Sequence, residues 1–62
     1  MTTYALRRGN QWISAPGSDG KPAPTDDQTY AWLAPTLDTA HELQYLVRMC
    51  WGWTTEIRAI HR

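Results

Sequence analysis

Apolar and polar positions along the chain change period four times, and each change predicts an element. From residue 3 to residue 15 the pattern alternates, with Gly9-Asn10 in the middle. Glycine first in a two-residue loop suits a type II′ hairpin turn. A turn there places Arg8 opposite Gln11, Arg7 opposite Trp12, Leu6 opposite Ile13 and Tyr4 opposite Ala15. Successive side chains of a strand point to opposite faces. Tyr4, Leu6, Ile13 and Ala15 therefore share the face expected to meet the core. Ala5, Arg7, Trp12 and Ser14 share the other, which puts Trp12 outside beside Arg7. A slip of one residue would invert the assignment.

Residues 15–27 lose all periodicity. They hold Pro16, Gly17, Gly20, Pro22 and Pro24 with Ser18, Asp19, Asp26 and Asp27, a loop composition. Loops this long inside a small domain are functional or mobile. The composition of residues 28–33 favours a short strand. A short helix opening at Thr25, with Asp26 and Asp27 in its first turn, is the competing reading.

The period then becomes helical. Ala40, Leu43, Val47 and Cys50 recur at spacings of three and four, with Leu46 widening the stripe, so a helix is expected over 37–50. Thr36 is a candidate cap, Asp38 suits the first turn, and Thr39 to Glu42 matches a capping box. Glu42, Tyr45, Arg48 and Met49 fall on the opposite surface, and Gly52 is a natural C-terminal cap. Alternation returns over 53–61, with Trp53, Thr55, Ile57 and Ala59 on one face; Ile60 breaks it. The expected fold is one α+β domain spanning residues 1–62: an antiparallel sheet of three to four strands, built from the N-terminal hairpin and the C-terminal strand, with one helix packed on one face. The far face of the sheet is expected to stay open to solvent or to a partner.

Composition narrows the functional classes. Six basic and six acidic residues give a formal charge of zero, so no bulk field draws the chain to nucleic acid or membrane. The charge is segregated: Arg7 and Arg8 near one end, Asp19, Asp26, Asp27, Asp38 and Glu42 in the middle, Arg48, Arg58 and Arg62 towards the other end. Solvated surface charge accounts for this most simply. Cys50 is the single cysteine and has no disulfide partner within the chain. With no signal-peptide run and no apolar stretch of membrane-spanning length, the chain reads as a complete, soluble, cytoplasmic protein with no membrane association.

Catalytic and metal chemistry find no constellation in the pattern. His41 and His61 are far apart and Cys50 is isolated, so no zinc spacing is present and no cofactor is expected. Cys50 lies on the apolar stripe, where a thiol is core filler. Asp26-Asp27 reads as solvated loop, and the Gly17–Gly20 pair lacks a phosphate-loop context.

Contact chemistry is richer. The chain has four tryptophans and no phenylalanine. Tryptophan, tyrosine, methionine and arginine are enriched in interface cores. Trp53 reads as core by alternation, Trp51 covers the core at the helix end, Trp32 is open between core and surface, and Trp12 is the surface candidate. The candidate partner-binding residues are Arg7, Trp12 and Arg8 on the hairpin, with Tyr45, Met49 and Trp51 on the helix. Another protein is the expected partner. The same cation-and-indole hairpin also fits a single-stranded nucleic-acid binder. A structural homo-oligomer, such as a dimer through the open face or a sheet edge, accounts for the same features.

The stretches Trp32 to Leu43 and Cys50 to Ile60 read as short strand, capped helix with an early alanine (Ala40), glycine and closing strand. With the hairpin, this resembles compact β-β-(β)-α-β accessory proteins of bacterial viruses and mobile elements, some of which are anti-CRISPR inhibitors. The resemblance implies a non-enzymatic inhibitor that binds a host effector complex in the host cytoplasm. It transfers no functional residue, and the neutral charge argues against DNA mimicry.

Overall fold

The computed structural model describes residues 1–61; Arg62 lies outside the described residues. Four strands and one α-helix form an α+β domain: β1 (Thr2–Arg8), β2 (Gln11–Ile13), β3 (Pro24–Thr25), α1 (Leu37–Trp51) and β4 (Glu56–His61). The antiparallel sheet runs β3-β2-β1-β4, with the helix on one face. Leu6, Ile13 and Val47 are the largest fully buried side chains and join the layers, with Leu43, Trp51, Trp53 and Ile57 packed around them.

The hairpin turn forms at Gly9-Asn10. Gly9 has φ 61° while no described non-glycine residue has positive φ, as a type II′ turn requires. Arg7 opposes Trp12 and Arg8 opposes Gln11. The ladder ends there, short of the expected pairing of Leu6 with Ile13 and of Tyr4 with Ala15. Tyr4 instead exchanges two backbone hydrogen bonds with Ala34 (2.9 and 2.7 Å), and Ile13 O accepts from the Trp32 N–H at 2.8 Å. The segment from residue 31 to residue 34 thus takes the backbone groups that a longer hairpin would have used.

That segment also closes the sheet face expected to be open. Ala5, Ala31 and Ile60 form a second buried cluster, with Trp12 and Leu33 packed against it. Ile60 is therefore no break in the pattern: it opposes Thr3 and is buried on this second face. Both faces of β1 are covered, so Ala5 and Leu6, adjacent in sequence, are each only 1% exposed.

Residues 28–33 are not a strand. Gln28–Tyr30 form one turn of 3-10 helix, because the Asp27 carboxylate accepts from the Thr29 N–H at 2.9 Å and fixes the turn. Single bridges from Ala31 to Ser14 and from Ala34 to Tyr4 follow. The expected loop over 15–27 gives up Pro24–Thr25 to a strand, and Pro22 within it is buried.

Helix α1 starts where the sequence places it and runs one residue further. Thr36 caps it, accepting from the Thr39 N–H at 3.2 Å, so the capping pair is Thr36 with Thr39 and not Thr39 with Glu42. Gly52, at φ 72°, ends it in the left-handed conformation, its N–H bonded to Arg48 O. The buried stripe runs through Ala40, Leu43, Val47 and Trp51. Since it passes from Val47 to Trp51, four residues on, Cys50 is turned outwards and exposed. Leu46 is 41% exposed, also off the stripe. The last strand begins at Glu56, three residues later than expected, because residues 53–55 serve as an extended link from the helix cap. No helix among the described residues is long and apolar enough to cross a membrane.

Candidate functional site

The six candidate contact residues do not gather on a single surface. Arg7 and Trp12, cross-strand partners, meet on the sheet face away from the helix, with the guanidinium 4.9 Å from the indole centre. Arg7 Nε also donates to Gly9 O at 3.1 Å, which holds the side chain over the ring. Trp12 is half-buried rather than exposed, because the indole packs on the Ala5–Ala31–Ile60 cluster.

Arg8, one residue on, turns to the helix side. Its guanidinium lies 5.5 Å from the centre of the Trp53 ring. Trp53 in turn stacks on Trp51, with centroids 6.2 Å apart and an interplanar angle of 28°. The reversal at Gly52 brings these two indoles together. Arg8, Trp53 and Trp51 form a continuous cation–aromatic stack joining the hairpin tip to the end of α1. Trp53 is half-buried, part of the core edge and part of the surface at once.

The outer face of α1 adds apolar area. Tyr45 is 66% exposed and Met49 65%. Separated by four residues, they are neighbours on the helix, and exposed Leu46 adjoins them. Contiguous exposed apolar side chains of this kind mark contact surfaces more often than scattered ones do.

The chain matches no protein-family model, no curated protein and no solved structure.

Beside Tyr45 a cleft of ≈ 350 Å³ opens between α1 and residues 53–55. His41, Gln44, Tyr45 and Arg48 line it from the helix, and Trp53, Thr54 and Thr55 from the link. Gln44 Nε2 donates to Thr55 O at 2.7 Å across its base. Thr55 is buried, and its hydroxyl has no hydrogen-bond partner among the described residues. The sequence reading missed Trp53, Arg48 and Gln44 as site residues. Two signals pointed to them: Arg8 shares the strand parity of Leu6 and so faces the helix, and His41, Tyr45 and Arg48 recur at helical spacing. Among the described residues no three His, Cys, Asp or Glu side chains gather where they would hold a metal ion.

Proposed function

We propose that this chain is a small protein-binding accessory protein that acts by occupying a surface of a host complex rather than by catalysis. The observation that carries this reading is the outer face of α1, where Tyr45, Leu46 and Met49 are exposed by 66%, 41% and 65% within two helical turns. Exposed tyrosine and methionine beside a braced indole pair and an arginine have the composition of an interface core. Tyr45, Met49, Trp51 and Arg8 form the proposed contact surface. Arg7 and Trp12 make a second patch at the opposite side of the hairpin, of smaller reach because the cluster beneath holds part of the indole.

The fold alone carries no function. The anti-CRISPR form of the proposal, with a phage or mobile element as source and the host cytoplasm as location, rests on the similarity of element order to such inhibitors.

Single-stranded nucleic acid is the competing ligand, favoured by the Arg7–Trp12 pair at 4.9 Å. Arg7 already occupies a face of that indole, which a stacked base would have to displace. Salt separates the two readings. Affinity for phosphate falls steeply as salt rises, whereas an apolar anchor on α1 is insensitive to it. Affinity for the partner should survive a rise from 50 to 200 mM salt and fall at least tenfold in Tyr45→Ala/Met49→Ala. A loss of about sevenfold over that salt range, the slope expected of two phosphate contacts on a single strand, with the double variant unaffected, would assign the nucleic-acid reading instead.

A further inference from the structure

The cleft between α1 and residues 53–55 has a chemistry distinct from the apolar face beside it. Among the described residues its lining contains Arg48 and His41 and no carboxylate. The other described arginines are engaged: Arg7 by Trp12 and Gly9 O, Arg8 by Trp53, and Arg58 by Glu56 at 2.9 Å. Among the described residues, the Arg48 guanidinium makes no ion pair, ring contact or side-chain hydrogen bond. We propose that this cleft recognises a carboxylate carried on an apolar residue of the partner's polypeptide, with Arg48 pairing the carboxylate and Trp53 and Tyr45 holding the apolar body.

The walls suit that role. Trp53 is held in place by Arg8 at 5.5 Å and by Trp51 at 6.2 Å, so an incoming group meets a fixed ring. The Gln44–Thr55 hydrogen bond ties helix to link beneath it. A site ordered before binding loses less freedom on complex formation. A volume of ≈ 350 Å³ is at the small end for ligand pockets and fits one side chain or chain terminus.

A monoanion is favoured over a phosphate dianion. Arg48 lies in the last turn of α1, where the helix dipole is negative. One guanidinium in that field matches a single carboxylate in bidentate fashion. Phosphate sites generally draw on helix N-termini or runs of backbone N–H groups instead. The protein-binding reading supplies only the source of the carboxylate; the charge and shape of the cleft stand without it.

The test uses the full chain labelled with ¹⁵N, titrated with N-acetylphenylalanine, with its primary amide, and with an amidated acetyl-Phe-Glu peptide. The first and third separate a terminal from a side-chain carboxylate. At least one acid should shift the Trp53 indole N–H and the amides of residues 41–55 with a dissociation constant of about 1 mM. The amide should bind about tenfold more weakly. Arg48→Met, which keeps an apolar stem, should weaken the acid about tenfold and leave the amide unchanged, whereas Arg58→Met should change neither. Equal binding of acid and amide, shifts centred on Arg7 and Trp12, or undiminished acid binding by Arg48→Met would each overturn the proposal. Failure of all three probes while a protein partner is still captured would sink the cleft and spare the protein-binding reading. Probe binding with no partner captured would do the reverse.

Discussion

Arg8 stands over the ring of Trp53, its guanidinium 5.5 Å from the centroid, and so ties the tip of the hairpin to the far end of the helix. The two residues lie 45 positions apart in the sequence, and neither is fully buried. Their contact keeps Trp53 packed against Trp51 at the edge of the core, where Trp53 also lines the cleft beside exposed Tyr45.

Replacing Arg8 by Met should therefore lower stability by about 0.5–1 kcal/mol, the range of a partly exposed cation–π pair. Arg8→Lys should recover part of the loss. Urea unfolding followed by tryptophan emission measures both. An unchanged midpoint for Arg8→Met would show that the contact carries no energy.

Gly52 joins the stacked indoles at φ 72°. A Cβ there would meet no atom within 4 Å, so the cost of Gly52→Ala is conformational rather than steric crowding. About 1–2 kcal/mol is expected. Thermal unfolding should show a lower Tm for Gly52→Ala than for the exposed control Thr54→Ala. A Tm at the wild-type value would contradict the left-handed cap.

The two capping arrangements separate cleanly by mutation. Thr36→Ala should cost about 1 kcal/mol, because the Thr39 N–H loses its acceptor. Glu42→Ala should fall within about 0.5 kcal/mol of wild type, as an ordinary surface change does. The opposite ranking in denaturant titration would restore the Thr39–Glu42 box.

Much of this architecture is legible in the sequence because the local signals there are strong. Gly9-Asn10 fixes the turn and the Arg7–Trp12 pairing, and Thr36 with Gly52 brackets the helix. The second cluster is illegible for a physical reason. Its residues come from Ala5, Ala31 and Ile60, which are distant in sequence, and alanine carries too weak a hydropathy signal to mark a buried position. Ile60 looks like a broken alternation only while one face of the sheet is taken as solvent. Cys50 and Trp51 compete for the same end of the helical stripe, and spacing alone does not choose between them. The larger indole fills the core edge and the thiol is left outside. Among the candidate contacts, exposure of Tyr45 and Met49 follows from helical period. The braced position of Trp53 requires the tertiary contact with Arg8.

Thr55 offers a test of opposite sign. Its hydroxyl is sealed from solvent without a hydrogen-bond partner among the described residues. Burying such a group without a partner is unfavourable, so Thr55→Val should raise stability by about 1 kcal/mol. A loss of that size instead would mean that the hydroxyl is satisfied in solution.

The most direct test of the central claim is affinity capture from bacterial lysate by wild-type chain and by Tyr45→Ala/Met49→Ala, with and without nuclease, read by mass spectrometry. A stoichiometric protein partner that withstands nuclease and is lost in the double variant is the predicted result. Recovery that vanishes with nuclease, or a partner held equally well by the double variant, would contradict a protein-binding surface on α1.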